Sequence, residues 1–190
     1  MFRAGKMRIA ASLIIIAALL GGCGPAPRKF VRPNVQKEKF QRLAVLPIDN
    51  FTAEKFAGEK MRQAIITELL ASGVDVVEPG EVNNVLVKLQ IQSLRTLTRE
   101  QLKSIGKELN VNTLMTGFVG EYGMKKGVRV SYPEISVNLM MHDAASGEVF
   151  WSVWHTTGGP SFWTRYFGAE GNTLNEAARE MVKKAIGSYF

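Results

Sequence analysis

The sequence has one cysteine, Cys23, and two histidines, His142 and His155, in 190 residues. A single cysteine excludes an internal disulfide, and so few histidines and thiols leave little from which to build a zinc site. Long apolar runs are also lacking. The longest, Ile9–Leu20, has about a dozen residues, whereas a helix needs about 20 to cross a bilayer. These absences exclude a disulfide scaffold and a multi-span membrane protein.

The main part of the chain also lacks an excess of charge of either sign. The formal net charge is +7, of which residues 1–22 carry +3, residues 23–41 carry +4 and residues 42–190 carry none. The basic character therefore belongs to the N-terminal segments, and it does not indicate a nucleic-acid partner. Hydrophobic residues make up 46% of the chain, which is enough for a globular core.

The N-terminus has the features of an export signal. Basic residues in Met1–Arg8 precede the apolar run, and Leu20-Gly21-Gly22-Cys23 follows it. This arrangement resembles the lipobox of bacterial lipoproteins, which implies cleavage before Cys23 and acylation of its sulfur with chains such as palmitate. Stable anchoring takes two or more such chains. The alternative, a buried free cysteine after an anchor helix, is disfavoured because the apolar run is short. In bacterial lipoproteins, Asp at the position after the lipidated cysteine retains the protein in the inner membrane. This position is Gly24 here, which implies export to the outer membrane.

Three segments are predicted on this basis. Residues 1–22 form a lipoprotein signal peptide, residues 23–41 a lipidated cysteine with a flexible tether, and residues 42–190 a single periplasmic α/β domain. Three prolines and alternating basic residues indicate an extended linker, and its 18 residues after Cys23 span at most about 60 Å. Its basic residues either rest on anionic lipid headgroups or form a solvated spacer.

Apolar periodicity predicts a mixed sheet in an α/β sandwich, with the order β-α-β-α-α-β-β-β-α. Thr98 with Gln101, and Thr173 with Glu176, are capping boxes that predict helix starts. The predicted strands cover residues 42–48, 74–77, 111–120, 128–143 and 148–157. The predicted helices cover 54–70, 79–91, the segment after Thr98, and the segment from 174 to Gly187. Pro133 predicts a bulge or break in its strand, and Lys125 and Lys126 are expected in a turn.

Four phrases in this order resemble a known group of envelope proteins: RLAVLPIDNFT, VEPGEVNNVL, LNVNTLMTGFV and NLMMHDAASGEVFWS. They are similar to the curli-secretion lipoprotein CsgG, the amino-terminal domain of TolB and the penicillin-binding-protein activator LpoB. The resemblance covers about residues 42–187. It implies a TolB-like periplasmic α/β domain that binds other proteins and carries no catalytic residue.

The chain departs from that group in two ways. The CsgG pore needs two long amphipathic hairpins per subunit, and this sequence has no spare segments for them between its core elements. LpoB-type activators reach a synthase in the inner membrane with a long disordered tether, and the tether here is short. A pore formed by this chain alone is therefore not expected.

The sequence contains no pattern typical of an active site, and we predict no catalytic, cofactor-binding or metal-binding residue. His142 and Asp143 are adjacent on a strand and point to opposite faces, and each histidine is expected to be a partly exposed strand or turn residue. Gly117, Gly120 and Gly123 precede no helix and so form no phosphate-binding turn. Asp49 ends a strand where α/β folds often bind ligands, although it is also a typical turn residue.

The segment Thr157–Gly168 is the predicted partner-binding segment. It contains aromatic residues and an arginine, the residue types most often important in protein interfaces. These are Phe162, Trp163, Arg165, Tyr166 and Phe167. Three alternatives stay open: the rings cover the core, bind a partner protein, or contact a membrane surface.

Three function hypotheses follow. The first is an outer-membrane-anchored, non-enzymatic scaffold or assembly subunit of a cell-envelope or secretion machine, which binds other envelope proteins or itself. The second is a regulator that binds and stimulates an envelope enzyme such as a peptidoglycan synthase. The third, an enzyme, has no residue pattern in its favour. No hypothesis includes a cofactor, a nucleic-acid partner or an identified small-molecule substrate.

Overall fold

The fold was analysed in a computed structural model that describes residues 28–33, 42–127, 130–158 and 173–187. The described residues form seven strands and four helices. The strands are β1 (Arg28–Val31), β2 (Arg42–Val45), β3 (Asp49–Asn50), β4 (Asp75–Val76), β5 (Thr113–Lys126), β6 (Ser131–Asp143) and β7 (Val149–Thr157). The helices are α1 (Ala57–Ala71), α2 (Pro79–Lys88), α3 (Arg99–Leu109) and α4 (Leu174–Ile186).

All seven strands belong to one mixed sheet. Its order is β1-β7-β6-β5-β2-β4, and β3 pairs with the middle of β5. Strand β2 runs parallel to β4 and β5, whereas β5, β6, β7 and β1 are successively antiparallel. The predicted α/β architecture is therefore confirmed, with β1 and β3 as additional strands.

Helices cover the two faces of the sheet unequally. On the first face, α1 and α4 pack together over strands β5, β6 and β7 and enclose the larger apolar core. On the second face, α2 and α3 enclose a smaller core over β2 and the start of β5. Trp154 and Thr156 of β7 are exposed on this second face. Part of the sheet surface is thus open to solvent.

The last helix has the predicted start, end and buried face. Thr173 and Glu176 exchange side-chain and backbone hydrogen bonds in a capping box, and Gly187 follows the last turn. The residues at helical spacing are buried against the sheet, namely Ala177, Ala178, Met181, Val182, Ala185 and Ile186. The capping box of α3, at Thr98 and Gln101, is also present. These positions confirm that periodicity and capping determine the local structure here.

The hairpin of β5 and β6 differs from the prediction in three ways. Strand β6 continues through Pro133, which lies opposite Met124, and the irregularity instead lies on β5 between Val119 and Glu121. Pro133 is tolerated because the described pairing of β6 with β7 ends at Ile135, so that the missing N–H can face outward. The predicted turn residues Lys125 and Lys126 belong to β5, which is longer than expected.

The predicted flexible tether is also corrected at four of its residues. Arg28–Val31 forms β1, which pairs in antiparallel register with Trp154–Trp151 of β7. Arg32 continues the contact, since its N–H donates to the carbonyl of Phe150 over 2.8 Å and its guanidinium pairs with Glu148. This part of the predicted linker is therefore the edge strand of the sheet, because its backbone finds hydrogen-bond partners on β7.

Candidate functional site

Strand register places aromatic side chains in one row across the open sheet face. Asp49 lies opposite Phe118, Phe118 opposite Asn138, Asn138 opposite Trp154, and Trp154 opposite Arg28. Residues directly opposite each other share a face of the sheet. Residues from five strands are thereby aligned on the side that α2 and α3 leave open.

Three rings in this region contact one another edge to face. The ring centroids of Phe51 and Phe118 are 5.3 Å apart, and those of Phe118 and Trp154 are 5.9 Å apart with planes at 88°. Such geometry is favourable for aromatic pairs. Phe51 and Trp154 are each 52% exposed. We call Phe51, Phe118 and Trp154 the aromatic face.

A charged pair lies at one end of the aromatic face. The guanidinium carbon of Arg95 is 4.4 Å from the centroid of the Phe51 ring, and Arg95 Nε is 3.8 Å from Asp49 Oδ1. These residues line a groove of about 280 Å³ that also includes Phe118 and Met140. The site therefore combines exposed rings with one cation and one anion, a composition typical of protein-binding surfaces.

A close approach of strands supports the position of Phe118. A Cβ added at the preceding Gly117 would lie 2.4 Å from the carbonyl oxygen of Asn138, so that only glycine fits there. Gly117 is therefore a close-packing residue. It lets β5 and β6 approach closely beside the aromatic face.

The two histidines are buried, contrary to the expectation of partly exposed residues. His142 is 8% exposed, and its Nε2 is 2.9 Å from Thr116 Oγ1, while burial lowers the pKa of the imidazole. His155 is 3% exposed, and burial, together with Lys184, lowers its pKa. Both lie at buried positions of long strands, His142 on β6 and His155 on β7. At neutral pH both rings are therefore uncharged core groups.

Other predicted residues have ordinary structural roles or lie outside the described residues. Asp143 Oδ1 accepts hydrogen bonds from the backbone N–H groups of Ala145 and Ser146 and so supports the turn between β6 and β7. Asp49, expected at the end of a strand, instead begins the short strand β3, and its Oδ1 lies 3.8 Å from Arg95 Nε at the aromatic face. The lipidation residue and the predicted partner-binding residues lie outside the described residues: Cys23, Phe162, Trp163, Arg165, Tyr166 and Phe167.

No group of three or more His, Cys, Asp or Glu residues that could hold a metal ion occurs among residues 28–33, 42–127, 130–158 and 173–187. Within those same ranges, no helix has the length and apolar character needed to cross a membrane.

Sequence reasoning missed the aromatic face, although β7 contains a usable signal. Trp151, Val153 and His155 alternate in the buried phase, so Trp154 falls in the solvent phase with Ser152 and Thr156. A tryptophan between small polar residues on a strand is an exposed large ring, which is the informative exception to burial. The contacts with Phe118 and Phe51 depend on strand register, which the sequence does not show.

A sequence model of one protein family, described as the peptidoglycan-synthase activator LpoB, matches residues 24–154. The chain belongs to the LpoB family. Among curated proteins, no sequence matches it. The description of the LpoB family favours the regulator hypothesis over the scaffold hypothesis.

Two solved structures, PelC and lipoprotein GNA1162, share the fold at low sequence identity, and an LpoB domain is a weaker match. The PelC dodecamer from Paraburkholderia phytofirmans is 21% identical, with a TM-score of 0.58 and coverage of 85% of this chain and 96% of that one. Lipoprotein GNA1162 from Neisseria meningitidis is 14% identical, with a TM-score of 0.52 and coverage of 67% and 93%. The C-terminal domain of LpoB from Salmonella enterica is 14% identical, with a TM-score of 0.48 and coverage of 67% and 88%. The resemblances to CsgG and TolB stay predictions.

Proposed function

We propose that this protein is a periplasmic lipoprotein, anchored in the outer membrane through Cys23, that binds and stimulates a peptidoglycan synthase. The observation that carries the proposal is the match of residues 24–154 to a family of peptidoglycan-synthase activators. In this proposal the chain carries out no reaction itself, and it acts by binding the synthase. The partner residues are those of the aromatic face.

The aromatic face suits this role for physical reasons. Its rings are held by a rigid sheet and by one another, so that little side-chain entropy is lost when a partner binds. Trp154 is half exposed in the free chain and has a large apolar surface to bury. Arg95 and Asp49 add polar groups that can fix the orientation of the partner.

The short reach of the anchor restricts where binding occurs. Because Arg28 begins the sheet, only residues 24–27 separate it from Cys23, and the five residue steps from Cys23 to Arg28 span at most about 18 Å. The synthase must therefore extend its own periplasmic part toward the membrane that holds Cys23. The domain therefore stays close to that membrane, whereas an activator on a long tether can move away from its membrane.

The substitution Trp154→Ala tests the proposal. We expect it to weaken binding of the synthase by about 2 kcal/mol, or roughly 30-fold, as for other aromatic hot spots. Stimulation of glycan-strand synthesis by a purified synthase should fall in parallel. Binding is measured by surface plasmon resonance and synthesis with labelled lipid II.

Phe56→Ala is the matched control, because Phe56 is 57% exposed and immediately precedes α1, which covers the first face of the sheet. It should leave binding and stimulation unchanged. Equal losses in both variants would place the interface elsewhere. Failure of the unmodified protein to bind or stimulate any peptidoglycan synthase of its own cell would refute the activator function.

A second candidate function is an assembly subunit that acts as a homo-oligomer in the envelope. It is favoured by the similarity of the fold to PelC, which forms a dodecamer, at a TM-score of 0.58. This candidate predicts a stable oligomer of the purified lipidated protein, whereas the activator function predicts a monomer. Native mass spectrometry in detergent distinguishes the two.

A further inference from the structure

Strand β1 is exposed along its whole length although it belongs to the sheet. All four of its residues are exposed, including the apolar Phe30 and Val31 at 52% and 40%. Successive side chains of a strand point to opposite faces, so these two apolar groups lie on opposite faces of β1, the outermost strand in the described part of the sheet. We call Arg28–Arg32 the β1 edge.

The β1 edge also carries positive charge, from Arg28, Lys29 and Arg32. Arg32 pairs with Glu148, but neither Arg28 nor Lys29 has a carboxylate partner within the part of the chain that the structure describes. Each face of β1 therefore presents one cation and one apolar group. Residues 42–190 are neutral overall, so the positive charge of the mature chain is concentrated next to this edge.

The position of the β1 edge relative to Cys23 is restricted by chain length. Five residue steps from Cys23 to Arg28 cover at most about 18 Å. With acyl chains on Cys23, the β1 edge cannot move beyond roughly this distance from the lipid headgroups. The attraction of basic residues to an anionic membrane acts within about one Debye length, which is about 8 Å at physiological salt.

We propose that the β1 edge lies on the anionic lipid surface of the membrane that holds the anchor. Arg28 and Lys29 contact phosphate groups, and Phe30 and Val31 enter the interface between headgroups and acyl chains. This inference rests on the proposed lipid anchor at Cys23. It orients the sheet edge-on to the membrane, so that the aromatic face stands beside the bilayer and stays open to a partner.

The test uses the full lipidated protein with Phe30→Trp, reconstituted in vesicles of phosphatidylethanolamine and phosphatidylglycerol. The matched control is Val87→Trp, at an apolar position of α2 that is 78% exposed. Brominated lipids should quench the added emission at residue 30 and shift it to the blue, and they should leave the added emission at residue 87 unaffected. The native tryptophans contribute equally to both variants.

A charge reversal then tests the electrostatic part. Arg28→Glu with Lys29→Glu should abolish most of the quenching at residue 30, and so should replacing the lipids with pure phosphatidylcholine. Equal quenching at residues 30 and 87, or none at residue 30, would overturn the proposal. So would the dissociation of a homo-oligomer by Phe30→Ser, since the β1 edge would then bind a second copy.

The intact mass of the purified protein separates failure of the anchor from failure of this inference. A mass without acyl chains refutes the anchor. A lipidated protein whose residue 30 stays unquenched refutes the β1 contact alone. The binding and synthesis assays with the Trp154→Ala and Phe56→Ala variants test the activator function, and their outcome is independent of both results.

Discussion

Arg62 shows how a single buried charge can connect elements of this fold. It is 2% exposed on α1, and its Nε and Nη2 both donate to the carbonyl oxygen of Val45, over 3.1 and 2.9 Å. Its Nη1 donates to Asn83 Oδ1 on α2 over 3.3 Å. Burial lowers the pKa of the guanidinium, although an arginine stays charged at neutral pH. Arg62 therefore joins the end of β2 to helices on both sides.

We expect Arg62→Ala to lower the free energy of unfolding by about 2–3 kcal/mol. The substitution leaves the buried carbonyl of Val45 without its donor and removes packed methylene groups. The control is Arg179→Ala, whose side chain is 69% exposed and contacts Glu68 only at 4.0 Å. Its effect should be within about 0.5 kcal/mol. Urea denaturation followed by circular dichroism measures both, and equal midpoints would contradict the role assigned to Arg62.

At the scale of elements, α4 is the clearest case of local sequence determining structure. Its capping box and its apolar positions at helical spacing specify where it starts and which face it buries. Strand β1 is the opposite case. RKFV has no period that distinguishes a strand from a linker, and its structure depends on the register with β7, more than 110 residues away along the chain.

The candidate site also has one part that local sequence predicts and one part that depends on strand register. The sequence singles out Asp49 from a local feature, the end of an apolar run, although Asp49 begins β3 and does not end a strand. The contact of Phe51, Phe118 and Trp154 could not be predicted, because it needs the register of β3 through β7. A local rule likewise predicts a bulge or break at Pro133 of β6, but the irregularity lies on β5, because sheet neighbours determine where a proline is tolerated.

The buried face of α4 can be tested by introducing a charge. Met181→Asp places an uncompensated charge among fully buried residues and should unfold the domain, at a cost of several kcal/mol. Lys183→Asp, on the exposed face of the same helix, should leave the domain folded. Proton NMR and thermal denaturation distinguish the outcomes. A folded Met181→Asp variant with unchanged melting would show that α4 does not anchor the core.

The whole molecule combines a neutral domain, a basic edge and a short connection to the proposed anchor. Net charge is concentrated in residues 1–41, while residues 42–190 are balanced. Because β1 belongs to the sheet, the four residues 24–27 determine the distance between Cys23 and the domain. The two candidate functions make different demands on this distance. An assembly subunit needs a fixed position at the membrane, and an activator needs only contact with its synthase.

Lengthening the connection therefore separates the two functions. Twenty Gly/Ser residues inserted between Gly24 and Pro25 would add about 25 Å of root-mean-square reach without changing any described contact. For an activator we expect the rate of fluorescent D-amino-acid incorporation in cells to be kept, because a longer reach only eases contact with the synthase. The matched control inserts the same residues between Ser146 and Gly147, where Ser146 N–H bonds to Asp143, and should disrupt the fold. Loss of incorporation with a folded, lipidated insertion variant would contradict the activator function and favour a membrane-bound assembly subunit, since only that role depends on the fixed distance.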